Sequence, residues 1–222
     1  IQLFHPLRSR RKISEKAVSL CGMELIFATG NAGKVREAQQ ICDRLAKKWG
    51  INLTIVPMPD KVDIPETGDS YEENALQKAR FVWDKYHKNC IADDSGMEVE
   101  ALDGAPGIYT ARYCDRDFAD GMDKLLYELD RKQALAPEQR TATFECCLTV
   151  IIDGTMLSFR GTCPGRISLC KCGSAGFGFD PVFIPDATPG LCMAELPEEQ
   201  KNLISHRGLA FEKLFRYLAE EK

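Results

Sequence analysis

Residues 141–152 alternate cleanly, with Ala142, Phe144, Cys146, Leu148, Val150 and Ile152 on one face. A period of two is the signature of a strand with one buried side. Asp153-Gly154 follows, and residues 155–163 carry a second extended stretch. Asp-Gly between two such runs predicts a tight antiparallel hairpin. A hairpin this long has a large apolar face that other elements must cover, so the chain cannot be all-helical.

The start of the chain adds a different pattern. An apolar strand at residues 24–28 runs into Thr29-Gly30-Asn31-Ala32-Gly33-Lys34, and then Val35, Ala38, Ile41, Cys42, Leu45 and Trp49 recur at helical spacing up to Gly50. A second strand follows at 53–56. Strand, helix, strand in this order implies a parallel pair with a right-handed crossover. The fold class is therefore α/β: a mixed twisted sheet with flanking helices and an antiparallel hairpin insertion.

The remaining elements read in the same way. Pro57, Pro59, Pro65 and Gly68 make 57–69 a loop. Ser70-x-x-Glu73 is a capping box opening a helix to about residue 87, with Tyr71, Ala75, Ala79, Val82 and Tyr86 on its apolar face. A short strand at 90–92 is expected to end in Asp93-Asp94-Ser95-Gly96, with a separate strand at 97–101. Phe118, Met122, Leu125, Leu126 and Leu129 mark a third helix; a strand is expected at 182–184; Ile204, Phe211, Leu214, Phe215 and Leu218 mark one closing helix.

Composition narrows the function classes. The 222 residues are 44% hydrophobic and 28% charged, with a net charge of −4. That balance argues against a general nucleic-acid binder. The longest apolar run, Cys146–Ile152, is broken by Thr149, which excludes a membrane-spanning helix. Charge is uneven: Arg8, Arg10, Arg11, Lys12 and Lys16 make residues 1–22 a basic arm, expected to lie outside the fold, while 23–222 form a single domain. Ten cysteines are present without a Cys-x-x-Cys pair. Their spacing supports neither a disulfide framework nor a zinc site built from Cys163, Cys170, Cys172 and Cys192, so reduced thiols are expected.

Several segments carry candidate chemistry. Glycines at a strand end, opening a helix, present backbone N–H groups and a positive dipole to an anion, and Lys34 adds a full charge. The spacing is not that of a Walker loop. Asp93 and Asp94 are adjacent carboxylates at a strand terminus; adjacent strand residues face opposite ways, so one of them is expected to point fully into a site. Mg²⁺ takes one or two carboxylates plus phosphate oxygens and waters; Glu66, in its proline-bounded loop, is a second candidate ligand. Phe177 and Phe179, held by Gly176 and Gly178, form a face on which a base can stack. Lys201, His206 and Arg207 cluster near a helix start, where the dipole disfavours positive charge. Taken singly, each of these also reads as ordinary structure: a βα turn, an acidic turn, a solvated acid, core aromatics, satisfied cations. Together they fit a Mg²⁺–nucleoside triphosphate.

At this point a family is recognisable. Thr29-Gly30-Asn31-x-x-Lys34, Glu66-Thr67-Gly68, Glu73-Asn74-Ala75 with Lys78-Ala79, Ala92-Asp93-Asp94-Ser95-Gly96, Gly104-Ala105-Pro106-Gly107-Ile108-Tyr109, Ala111-Arg112-Tyr113, Phe177-Gly178-Phe179-Asp180-Pro181 and Ser205-His206-Arg207 occur in order. The chain resembles the inosine triphosphate pyrophosphatase family, in its bacterial-type branch. The resemblance implies two lobes around a central cleft, a cytoplasmic homodimer, and Mg²⁺-dependent hydrolysis of ITP, dITP and XTP to the monophosphate and pyrophosphate. It implies that Thr29, Gly30, Asn31 and Lys34 hold the triphosphate. Glu66 and Asp94, with Asp93, would bind the metal, and Asp94 would also accept the proton. Ser95, Lys78 and Lys201 would complete the phosphate and sugar contacts, with Lys78 in a catalytic role. Phe177, Gly178, Phe179 and Asp180 would line the base pocket, with His206 and Arg207 on the base edge. Phe179 stands where the family often has Tyr or Trp. The competing readings are a nucleotide-binding module without turnover and the septum-formation type of nucleotide pyrophosphatase.

Overall fold

The computed structural model describes residues 22–221. The basic arm falls almost wholly outside the described residues. Strand β1 (Met23–Phe27), helix α1 (Ala32–Trp49) and strand β2 (Leu53–Pro57) form the opening crossover, with β1 and β2 parallel. Asn31 caps α1 through its side chain, and Gly50 ends it in the left-handed region. Helix α2 (Tyr71–Tyr86) starts at the Ser70 cap, and Glu73 reaches back to the Asp69 N–H at 2.8 Å. The Ser70 hydroxyl accepts from the Glu73 N–H, but the Glu73 carboxylate bonds the residue before the cap and not Ser70 itself, so the expected capping box is made on one side only.

Strand β3 (Cys90–Val99) corrects the first expectation. It is one uninterrupted strand, and Asp93-Asp94-Ser95-Gly96 lies in its middle rather than in a turn. It pairs parallel to β1 at one end and antiparallel along its whole length to β5 (Thr141–Ile152). The pairing supplies backbone partners that a turn would lack, which local sequence could not show.

The short β4 (Pro106–Gly107) pairs with β3, and α3 (Gly121–Arg131) follows, leaving Phe118 ahead of the helix. Strand β5 turns at Asp153-Gly154, both at positive φ, and returns as β6 (Thr155–Ile167), beside β7 (Phe183–Pro185). The sheet has seven strands in the order β2-β1-β3-β5-β6-β7, with β4 on β3. The expected closing helix is two helices, α4 (Glu198–Ile204) and α5 (His206–Glu220), broken at Ser205, which caps α5 at the Gly208 N–H.

Two faces of the sheet are covered by different helices. Ile91, Cys146, Leu148 and Val150 pack with α1 and α5 residues such as Ile41, Leu45, Phe211 and Leu214. Cys90, Ala92 and Ile151 pack with Ala79 and Val82 of α2 on the other side. Further along β5, Ala142 and Phe144 belong to a second cluster with Leu125, Leu129 and Phe183. The core thus changes hands between Phe144 and Cys146, the level at which Ser95 pairs with Cys146.

Helix α5 lies directly on β6. A Cβ at Gly161 would stand 2.1 Å from the His206 carbonyl oxygen and 2.6 Å from the Ala210 nitrogen, both backbone atoms. Gly161→Ala should therefore push α5 off the sheet and cost roughly 1–3 kcal/mol, the usual range for overpacking. Equilibrium urea denaturation measures this; an unchanged midpoint would contradict the close approach.

Candidate active site

The middle of β3 divides its acids between the two faces. Asp93, fully buried, points towards α1 and α5: Lys34 Nζ lies 3.0 Å from Oδ1, and Arg207 meets Oδ2 with Nε at 3.0 Å and a terminal nitrogen at 2.6 Å. Ser95, two residues on, shares this face and accepts from Arg207 at 3.1 Å. Asp94 points the other way. Its Oδ1 is 3.2 Å from Lys78 Nζ and its Oδ2 accepts from Asn74 Nδ2 at 3.1 Å. Glu66 reaches the same Lys78 ammonium at 2.5 Å. Glu66 and Asp94 therefore converge on one cation from the α2 side.

The structure does not bring Asp93 to the Glu66–Asp94 pair. Both its oxygens are engaged by Lys34 and Arg207, on the face away from Glu66. Burial pushes its carboxyl up, but Lys34, Arg207 and Lys78 outweigh that and hold it far below the usual carboxylate range. Asp94 goes the other way: burial raises it more than Lys78 lowers it. A carboxylate raised towards neutrality is a stronger proton acceptor than an ordinary one. Burial lowers Lys78, but Asp93, Asp94 and Glu66 outweigh it, and the ammonium stays charged.

A second knot lies under α5. Glu37 is buried on α1 and bonds both Arg207 and Lys201, the latter at 3.1 Å; Lys201 also bonds Asp180 at 2.7 Å. Asp180 accepts from the Phe177 N–H at 2.8 Å, fixing the glycine-rich loop. The Phe177 ring then sits 4.8 Å from Lys201 Nζ and 5.7 Å from the Arg207 guanidinium, a cation–π arrangement. A small cavity opens there, lined by Gly33, Glu37, Phe177 and Lys201.

Several expected roles change. Phe179 is buried with Val182 and Phe183 and packs near Tyr113, so it is a core residue and offers no stacking face; Phe177 alone is half-exposed. Arg207 is 1% exposed and spends its donors on Asp93, Glu37 and Ser95, instead of standing open at a base edge. The Thr29–Lys34 loop caps itself: Thr29 Oγ1 accepts from the Asn31 N–H, and Asn31 Oδ1 accepts from those of Gly33 and Lys34. These N–H groups are not left open for an anion. Gly30 and Asn31 are exposed there, and Gly178 is exposed in its own loop. Two participants had no role assigned from sequence: Asn74, which was noted only as part of the Glu73-Asn74-Ala75 motif, and Glu37. The only local signal for Glu37 was an acid on the buried stripe of α1, one position before Ala38 and four before Ile41.

Residues 25–217 match the Ham1 family. The chain belongs to it. Among curated Ham1-type relatives, a dITP/XTP pyrophosphatase of Geobacillus kaustophilus is 44% identical over 196 residues, covering 86% of this chain and 92% of that protein. One from Christiangramia forsetii is 38% identical over 200 residues, covering 89% of this chain and all of that protein. Two solved Ham1 structures agree. The HAM1 protein of Coxiella burnetii matches with a TM-score of 0.74 at 31% identity, covering 89% of this chain and 99% of that one. The Ham1 protein of Staphylococcus aureus matches at 0.71 and 36%, covering 90% and 100%.

His206 makes the folding stability depend on pH. Its ring stacks on Phe144 at 4.8 Å, and burial together with Arg207 pushes its pKa from 6.5 to about 3. The fold holds it neutral, while an unfolded chain takes up the proton below about 6.5. Between those values the unfolded state binds more protons, so stability falls as pH falls. Glu37 adds to this lower down: burial raises it, but Arg207 and Lys201 hold it at about 2 against 4.5. His206→Gln should flatten the stability profile between about pH 6.5 and 4.5, above the carboxylate range. Urea denaturation across that interval tests it; an unaltered slope would remove His206 as the source.

Proposed function

We propose that this chain is a nucleoside triphosphate pyrophosphohydrolase that cleaves non-canonical purine triphosphates (dITP, XTP and ITP) to the monophosphate and pyrophosphate, with Mg²⁺. The observation that carries the reading is the convergence of Glu66 and Asp94 on Lys78, back to back with the Lys34–Asp93 pair on the same strand. The dITP/XTP pyrophosphatase relatives support the substrate class.

Charge bookkeeping supports the need for a divalent ion. Glu37, Glu66, Asp93, Asp94 and Asp180 are met by Lys34, Lys78, Lys201 and Arg207, with Arg112 3.7 Å from Glu66 at the rim. These charges cancel. An incoming triphosphate brings several negative charges that the protein alone does not offset. Two hard carboxylate donors sharing one cation suit Mg²⁺, which asks for one or two carboxylates and fills the rest of its shell with phosphate and water. Glu66 and Asp94 would hold it, and it would supply charge neutralisation on the phosphates.

The chain's own groups have distinct tasks. Lys34 is 17% exposed on its side chain and remains reachable beside the α1 start, so it can hold phosphate oxygens. Asn74 and Lys78 fix both oxygens of Asp94, which orients a water towards the α-phosphorus and accepts its proton. Lys78 then stabilises charge on the departing pyrophosphate. Phe177 offers the stacking face for the base. His206 Nδ1 is buried with no hydrogen-bond partner, and a purine edge would supply one.

Asp94→Asn should reduce turnover by roughly 100- to 10,000-fold while circular dichroism shows the fold intact. Pyrophosphate release from ITP, dITP and XTP should exceed that from ATP and TTP by roughly tenfold or more, and EDTA should abolish it. In ¹⁸O-water the label should enter the monophosphate; label in the pyrophosphate would mean attack at the β-phosphorus. Binding without turnover in every arm would make the protein a nucleotide-binding module instead.

A further inference from the structure

Nine cysteines lie among the described residues, and all are free. Five of them, Cys42, Cys90, Cys146, Cys147 and Cys163, sit in apolar clusters, as a small hydrophobic side chain would. Cys192 is equally buried, at 1% exposure, yet belongs to none of those clusters. Its sulfur faces that of Cys172 and the carboxylate of Glu195, and the three ligand atoms all lie within 4.8 Å of one another. The Glu195 carboxylate caps the turn Met193–Glu195 by accepting from the Cys192 N–H, which aims it, beside the Cys192 thiol, at the Cys172 sulfur. As a ligand set they are well matched: two soft sulfurs and one oxygen.

The backbone holds these groups in place. Cys192 and Glu195 are three residues apart around the 3₁₀ turn Met193–Glu195, a spacing at which side chains eclipse. Glu195 Oε2 accepts from the Cys192 N–H at 2.7 Å, which pins the carboxylate over the thiol. On the other side, the Cys172 N–H donates to the Pro181 carbonyl at 2.7 Å and that of Ala175 to the Ala194 carbonyl at 3.2 Å. A Cβ on Gly173 would stand 2.6 Å from the Ala194 oxygen, so the loop after Cys172 lies flush against the turn. Preorganisation of this kind is what a metal site requires of its scaffold.

We propose that Cys172, Cys192 and Glu195 bind a thiophilic divalent cation of the zinc class. Both thiols lose their protons to solvent on binding, and water completes a tetrahedral shell. The ion clips the start of the loop that carries Phe177 onto the Met193–Glu195 turn. Spacing argued against a zinc set containing Cys172 and Cys192, because their sulfurs are twenty positions apart and meet only through the fold, and it gave no sign of Glu195. The site is separate from the Glu66–Asp94 pair and does not rest on the catalytic reading.

The test is titration of the reduced, chelator-treated full chain with Co²⁺, followed by displacement with Zn²⁺. One equivalent should bind with thiolate-to-cobalt charge-transfer absorption and intense tetrahedral ligand-field bands, and Zn²⁺ should bleach both. The charge-transfer signal separates this site from any carboxylate site. Cys172→Ser and Cys192→Ser should abolish it. Glu195→Gln should weaken binding by at least the roughly tenfold that even an outer-shell loss costs. Cys114→Ser, at an exposed cysteine elsewhere, should leave the signal unchanged. Cys172 is half-buried and Glu195 exposed, so their variants decide the matter even where the buried Cys192→Ser fails to fold. Absence of charge-transfer absorption, or its survival in Cys172→Ser, would overturn the proposal.

Discussion

Two neighbouring aspartates occupy the interior of a central strand, and the surrounding architecture answers the electrostatic problem they create. A buried carboxylate without a partner is costly, and two adjacent ones on the same side would repel. Strand alternation sends Asp93 and Asp94 to opposite faces, so each is neutralised by different helices. Lys34 from α1 and Arg207 from α5 meet Asp93; Lys78 and Asn74 from α2 meet Asp94. The helices are therefore tied to the sheet by charge as well as by apolar packing.

The two halves of this arrangement do different work. The Asp93 side is closed: Arg207 is almost fully buried and bonded to Asp93 and Glu37, and Lys201 continues the network to Asp180 and the Phe177 loop. Replacing one member of such a network leaves an uncompensated buried charge, which typically costs about 3–5 kcal/mol. The Asp94 side is open at Glu66, whose side chain is 25% exposed. One strand thus has a closed charge network on one face and a partly exposed carboxylate pair on the other, because its side chains alternate.

The family assignment and the geometry carry different information. Similarity over most of the chain places it among Ham1 proteins. The geometry shows which side chains are open and which are engaged internally, and Arg207 and Phe179 belong to the second group. The Cys172–Cys192–Glu195 cluster lies beyond either source of argument and stands on its own chemistry. Among the described residues no helix is long and apolar enough to cross a membrane.

The amino-acid order alone determined the elements whose signals are local. The alternation of residues 141–152 with Asp153-Gly154 specified the hairpin, the 3.6-residue stripe specified α1, and Ser70-x-x-Glu73 specified the start of α2, because each depends only on neighbours in the chain. It also fixed what an extended backbone would do with Asp93 and Asp94, which is to send them to opposite faces. Tertiary structure decided the rest. Whether residues 93–96 were a turn or mid-strand depended on β5 as a partner. Which acid met which cation depended on which helix covered each face. The burial of Phe179, the engagement of Arg207 by Glu37, and the meeting of Cys172 with Cys192 join residues distant in sequence, and no local period records a contact that only packing creates.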